Sequence, residues 1–236
     1  FRPKKGDDIF CAAVVPAAGS ASRMEGQDKI LASMGEWPVL LHTLKALEAS
    51  AYIREIVVVT REDLIVPVSQ LCRDCALGKV TKVVVGGPDR THSVLNGIRE
   101  VSSRAGLIAI HDGARPLVTA EIIDETILQA SACGAAAPAV PVKDTVKLAS
   151  DGRVERTPDR SALFAVQTPQ VFDADLIRGA LGKAAEEGAA LTDDCSAVER
   201  LGIPVTLTRG SYENIKITTP VDLAIGEAIL NWRDTQ

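Results

Sequence analysis

Two cations and a run of small residues lie close together near the start of the chain. The stretch Pro16-Ala17-Ala18-Gly19-Ser20-Ala21-Ser22-Arg23-Met24 is followed by Gly26 and Lys29. Small side chains let backbone N–H groups come close to phosphate oxygens, and a nest of such groups is an anion site. Arg23 adds a guanidinium that can fork two oxygens, and Lys29 adds a compact ammonium. The combination suits a triphosphate. Neither stock phosphate motif is present. Gly19-Ser20-Ala21-Ser22-Arg23 misses the dinucleotide fingerprint, and no Gly-Lys-Ser/Thr occurs. Taken alone, the loop leaves open a plain strand-to-helix turn flanked by solvated charges.

Other chemistry-bearing groups are weaker. Cys72-Arg73-Asp74-Cys75 has the spacing of half a zinc site, but no second Cys or His pair accompanies it, so both cysteines are expected on a helix packed against a sheet. His111 is expected to shape a strand end rather than act as a base, and His42 to lie on a core helix. Thr192-Asp193-Asp194-Cys195 reads as a helix N-cap with acidic first-turn residues. No hydrolase-type Gly-x-Ser-x-Gly elbow exists.

The elements that must position these groups follow from apolar patterning. Ile9–Val15 is a continuous apolar run of the kind a strand buried on both faces needs, and similar runs recur at 53–60, 80–85, 107–111 and 135–140. Between them, Val39, Leu40, Thr43, Leu44 and Leu47 fall at helical spacing behind Pro38, expected as the first helical residue. Helices are likewise predicted over 89–101 and 120–132, the latter with Gly134 as its C-cap. Strand and helix alternate as parallel β-α-β units do, which predicts an open α/β sheet with helices on both faces. In such a sheet a loop leaving the first strand is where nucleotides bind. The rhythm breaks after Val142. Residues 144–148 and 154–157, flanking Ser150-Asp151-Gly152-Arg153, read as a polar hairpin projecting as an arm over about 141–164. Helices near 173–187, 193–201 and 220–232, and a strand at 205–208, complete the expectation.

Composition narrows the classes further. The chain has 236 residues, and 26 Lys+Arg against 31 Asp+Glu give a net charge of -5, which argues against coating a nucleic acid. No apolar run approaches a membrane span and no signal peptide is visible. Five cysteines in a chain this long are too few for a disulfide framework, which points to a reducing cytoplasmic setting. Residues 1–8 are expected to be poorly ordered, and 9–236 to form one domain.

Five segments in order then resemble one family. They are Val15-Pro16-Ala17-Ala18-Gly19…Arg23-Met24…Lys29, Gly86-Gly87-Pro88-Asp89-Arg90-Thr91-His92-Ser93-Val94, and His111-Asp112-Gly113-Ala114-Arg115-Pro116. Thr157-Pro158-Asp159-Arg160 with Gln167-Thr168-Pro169-Gln170 is the fourth, and Tyr212–Pro220 with Asn214-Ile215-Lys216 is the fifth. Together they resemble the 2-C-methyl-D-erythritol 4-phosphate cytidylyltransferases of the non-mevalonate isoprenoid pathway, over about residues 9–232.

The resemblance implies a Rossmann-like nucleotidyltransferase fold. It also implies transfer of CMP from CTP to 2-C-methyl-D-erythritol 4-phosphate, with Mg²⁺ present and pyrophosphate released. It implies a homodimer whose arms interlock. Arg23 and Lys29 would be the catalytic cations on the triphosphate. Pro16, Ala17, Ala18 and Gly19 would pack against the nucleotide, while Gly87 and Ser93 would read the cytosine. Asp112, Arg115, Thr168 and Lys216 would hold the acceptor substrate, joined by Thr145 and Arg160 from the neighbour's arm. The metal would be held mainly by CTP phosphates and water, with Asp112 a weak candidate ligand. Two departures stand out: Ala21 where the family commonly has a second Gly, and Pro88 where an acidic residue is common. Ribitol-5-phosphate cytidylyltransferase shares the loop and the His-Asp-x-x-Arg-Pro signature and is the alternative. Thr157-Pro158-Asp159-Arg160 and Asn214-Ile215-Lys216 favour the methylerythritol enzyme. A nucleotide-binding module without turnover is a third reading that no residue supports.

Overall fold

The computed structural model describes residues 9–19 and 29–235. The expected disorder of residues 1–8 therefore lies outside the described residues, and so does Arg23. The chain opens with strand β1 (Cys11–Pro16), a short ribbon of β2 (Ser33–Met34) and β3 (Trp37–Pro38), and helix α1 (Val39–Ala49). Strands β4 (Ile53–Thr60), β5 (Val80–Val85) and β6 (Leu107–Ile110) alternate with α2 (Ile65–Asp74), α3 (Arg90–Glu100) and α4 (Ala120–Cys133). Strand β7 (Ala135–Pro141) leads to a hairpin of β8 (Leu148–Ser150) and β9 (Arg153–Arg156). Strands β10 (Phe164–Val166) and β11 (Gln170–Asp173) follow, then α5 (Ala174–Glu186), α6 (Asp194–Glu199), β12 (Thr206–Arg209) and α7 (Pro220–Arg233).

Eight strands form one sheet in the order β10-β7-β11-β6-β1-β4-β5, with β12 also paired to β7. The pairs β1/β4, β1/β6, β4/β5 and β12/β7 are parallel, as the apolar runs predict. Strand β11 is different. It enters antiparallel between β6 and β7, with Gln170 opposite Ile110 and Phe172 opposite both Ile108 and Ala135. The segment Gln167–Gln170, expected only as a turn, thus leads into a central strand.

Alternation along β1 shows why its run is apolar throughout. Cys11, Ala13 and Val15 join Leu40, Leu44, Ile123 and Ile127 on one face of the sheet. Ala12 and Val14 join Val94, Ile98, Ile177 and Leu181 on the other. Helices thus cover both faces, and a β strand between them has no polar side. Helix α3 approaches the sheet closely at Gly97, where an added Cβ would lie 2.5 Å from Val14 Cγ1 and 2.7 Å from Val59 Cγ2. We expect Gly97→Ala to destabilise the fold by about 1–3 kcal/mol, the usual cost of overpacking, as a lowered urea midpoint. An unchanged midpoint would show that α3 can lift off the sheet.

Local signals mostly act where the sequence places them. Thr119 caps α4 through a hydrogen bond from Ile122 N–H, and Gly134 ends it in the left-handed region at φ 90°. Asp151 and Gly152, at φ 50° and 74°, make the hairpin turn. Two expectations need correction. The first hairpin strand begins at Leu148 rather than 144, because, among the described residues, 144–147 have no strand opposite them. Pro38 is the N-cap of α1 rather than its first helical residue, its ψ of 148° being extended and already spent on β3.

Candidate active site

The carboxyl ends of β1, β4 and β6 meet at one edge of the sheet. Ala17 N–H donates to Val59 O, His111 N–H to Val14 O, and Gly113 N–H to Pro16 O. This knits the small-residue loop to the His111-Asp112-Gly113 turn. A cavity of about 380 Å³ opens there, lined by Pro16–Gly19, Lys29, the Gly87–Arg90 segment, Ser93, Asp112 and Lys216, among others. Of the expected nucleotide residues, Pro16, Ala17, Ala18, Gly19, Lys29, Gly87 and Ser93 all line it. The Lys29 ammonium sits against the bare backbone of Gly19, 3.6 Å from where a Cβ would be. Residues 19 and 29 are therefore neighbours across the cavity mouth.

Small residues are required on the opposite wall as well. A Cβ on Gly86 would approach Ala18 Cβ to 2.8 Å, so the two loops pack backbone to methyl. Gly87 N–H donates to Ser93 Oγ at 3.0 Å, and the Ser93 hydroxyl donates to Asp89 O at 2.8 Å. The N–H of Gly87 and the hydroxyl proton of Ser93 are thus spent inside the loop. What they still offer a base is acceptors: the Gly87 carbonyl and one Ser93 lone pair. Pro88 between them adds no N–H.

A second cavity of about 150 Å³ adjoins the first and shares Arg90, Asp112 and Lys216 with it. It adds Arg115 and Thr168, so the four acceptor residues expected from one chain, Asp112, Arg115, Thr168 and Lys216, are brought together. Asp112 is nearly buried and ringed by cations. Lys216 Nζ is 3.0 Å from its Oδ2 and Arg115 Nε 3.3 Å, with Arg90 Nη2 at 4.0 Å from Oδ1. Burial by itself would raise the carboxyl's pKa, but Lys216, Arg115 and Arg90 outweigh it and hold the pKa at about 2. Asp112 is therefore a fixed anion that aims Lys216 and Arg115. Arg115 is anchored from behind by Asn214 O at 2.8 Å.

Arg90 and Asp194 form an ion pair beside the cavities that the sequence reading did not assign. The Arg90 guanidinium forks the Asp194 carboxylate at 2.9 and 2.6 Å, and the Asp194 side chain is only 1% exposed. Gln170 on β11 holds Asp194 in place. Its Oε1 accepts from Asp194 N–H and Cys195 N–H, while its Nε2 donates to Asp193. The capping role read for Thr192–Cys195 is thus correct, with Asp193 as cap residue of α6. Arg90, like Asp112 and Lys216, lines both cavities. We expect Asp194→Ala to cost about 2 kcal/mol of stability, since charged hydrogen bonds are lost while the half-exposed Arg90 can still reach water. Chemical denaturation would measure it, and a cost near zero would remove the pair from the structural account.

The chain is similar in sequence and fold to known proteins. The family model for 2-C-methyl-D-erythritol 4-phosphate cytidylyltransferase matches residues 11–232. The chain belongs to that family. A cytidylyltransferase of this name from Caldanaerobacter subterraneus subsp. tengcongensis is 46% identical over 226 residues, covering 93% of this chain and 98% of the relative. One from Desulforamulus reducens is 47% identical over 229 residues, covering 94% and 96%. The crystal structure of 4-diphosphocytidyl-2C-methyl-D-erythritol synthase from Anaerococcus prevotii superposes with a TM-score of 0.85 at 30% identity, covering 95% of this chain and 97% of that one.

Within the cytidylyltransferase framework, two expected residues, Thr145 and Arg160, are not brought to the cavities of their own chain. Arg23 lies outside the described residues. Thr145 and Arg160 sit exposed on the arm, where Arg160 Nη1 donates to Lys143 O at 2.8 Å, and neither lines either cavity of its own chain. The neighbouring Asp159 carboxylate accepts from Ser161 N–H. The described residues offer Mg²⁺ no cage, since no cluster of three His, Cys, Asp or Glu occurs among them. Asp112 does not fit a metal either, because its oxygens face three cations. Cys72 is buried on α2, and the half zinc spacing is a packing feature. His42 lies half-buried on α1, bonded to Met34 O. Among the described residues, no helix is long and apolar enough to cross a membrane.

Proposed function

We propose that this chain is the enzyme its family name describes, transferring CMP from CTP to 2-C-methyl-D-erythritol 4-phosphate with release of pyrophosphate. The observation that carries the reading is the junction of two cavities at Asp112, Lys216 and Arg90. One cavity is walled by small residues and Lys29, and the other is polar and cationic. A phosphate monoester has a second pKa near ~6, so the acceptor arrives largely as a dianion and needs no Ser, Cys or His to activate it. The protein's work is to align that dianion with the α-phosphorus and to neutralise charge that builds on the triphosphate. Lys29, with Arg23, would grip the phosphates. The Gly87 carbonyl and Ser93 Oγ would accept from the cytosine amino group. Lys216 and Arg115, held by Asp112, would receive the acceptor.

Mg²⁺, when bound, would neutralise phosphate oxygens from the CTP side. A homodimer in which the neighbour's arm supplies Thr145 and Arg160 would complete the acceptor pocket. A reducing cytoplasm suits the free cysteines. Pyrophosphate release assayed with both acceptors tests the reading. Turnover should be faster with 2-C-methyl-D-erythritol 4-phosphate, and faster turnover with ribitol 5-phosphate would reverse the choice. CTP binding without product from either would make the chain a binding module.

A further inference from the structure

His111 and Thr168 form a buried pair behind the acceptor cavity. His111 Nε2 lies 3.3 Å from Arg115 O, and a carbonyl carries no proton, so the proton of that contact is on Nε2. His111 is fully buried, and burial pushes its pKa down to about 4, so the ring is neutral and Nδ1 carries a lone pair. Thr168 Oγ1 lies 3.0 Å from that Nδ1. The hydroxyl must therefore donate its single proton to His111. Thr168 Oγ1 also accepts from Asp112 N–H at 3.1 Å. Of its three hydrogen-bonding capacities, one lone pair is left.

The geometry points to His111 as the positioning residue that fixes Thr168 as an acceptor of hydrogen bonds, so that Thr168 reads a hydroxyl of the polyol and not an oxygen of its phosphate. This rests on the placement of Thr168 in the acceptor pocket. An unprotonated phosphate oxygen has no hydrogen to give, and facing one, the Thr168 lone pair would be repelled. To donate to phosphate instead, Thr168 would need a proton on His111 Nδ1. With Nε2 already protonated against Arg115 O, that means a buried imidazolium. Lys216 and Arg115 are then the phosphate contacts, and Thr168 contributes to discrimination among polyols. A site built to hydrogen-bond a hydroxyl rejects analogues lacking it.

Two measurements test this. In protein with ¹⁵N-labelled histidine, the signals of the three histidines can be separated with His42→Gln and His92→Gln variants. We expect His111 to show a pyrrole-like Nε2 and a pyridine-like Nδ1, with and without acceptor bound. A protonated Nδ1 in the bound state would overturn the inference, and this reading needs no change to the pair itself. The second is the KM of Thr168→Val for the acceptor and its monodeoxy analogues. We expect a rise of about 3- to 10-fold for the parent, the scale of one neutral hydrogen bond, and no rise for the one analogue lacking the hydroxyl read. Thr168→Ser, which keeps the oxygen, should restore the parent value. An equal rise for every analogue would leave Thr168 in the pocket but overturn the hydroxyl assignment. No rise for any would remove Thr168 from the pocket and overturn both.

Discussion

Replacing Lys29 with Ala lowers kcat for cytidylyl transfer by about 10²–10³, the scale seen when one preorganised charge-stabilising group is removed. Lys29 has the position for this. It lines the larger cavity, with its ammonium 3.6 Å from where a Cβ on Gly19 would lie. The effect should fall on kcat more than on the KM for CTP, because negative charge on the leaving pyrophosphate grows in the transition state. The far-UV spectrum and thermal midpoint should be unchanged. Lys29→Arg should recover only part of the rate, since a planar fork does not replace a compact ammonium. Steady-state assays at saturating acceptor give the answer, and an unchanged kcat would take Lys29 off the catalytic list.

Mixing two inactive variants, Arg160→Ala and Lys29→Ala, should restore activity. If each site takes Lys29 from one subunit and Arg160 from the other's arm, a mixed dimer holds one intact site and one doubly damaged site. Random pairing at equal amounts makes half the dimers mixed, so about a quarter of wild-type activity is expected. The structure motivates this through what the arm leaves uncovered. Val146, Leu148, Val154, Phe164 and Val166 are exposed apolar side chains around the hairpin and β10, Val154 at 59%. Among the described residues, the Arg160 guanidinium hydrogen-bonds the carbonyl of Lys143 in its own chain. Such a patch on an arm is what an interface between copies would cover. Mixed dimers verified by tag exchange that remained inactive would rule out arm exchange.

The parts of this molecule visible in the sequence are those fixed by local pattern. Val14, Val57 and Ile110 lie on strands buried on both faces, and only an unbroken apolar run satisfies that position. Gly134, Asp151 and Gly152 act through their own backbone angles and nearest neighbours. The small-residue wall of the larger cavity was legible at residues 16–19, because small side chains are what let backbone N–H groups approach an anion. What stayed hidden depends on long-range pairing. Gln170–Asp173 is too short and too polar to announce a central strand, and its place is decided by Ile110 and Ala136, far away in sequence. Arg90 at a helix start reads as a solvated charge. Its assignment depends on a buried carboxylate 104 residues later. Residues 144–147 carry strand-like composition but have no strand to face among the described residues.

Strand β11 also has a bearing on how the protein is made. Until residue 173 has left the ribosome, β6 has β1 on one side and nothing on the other, and β7 faces the same gap. A nascent chain at that stage displays two apolar edges with unsatisfied backbone groups, the kind of template that recruits other chains. The lining of the larger cavity, all within the first 93 residues apart from the turn at residues 112–114 and Lys216, could largely take shape well before then, while the smaller cavity waits for the inserted strand to bring Thr168 and Gln170 alongside. Synthesis of this enzyme therefore passes through an interval in which half a site exists beside an open seam, and slow translation between residues 141 and 173 would lengthen its exposure to aggregation.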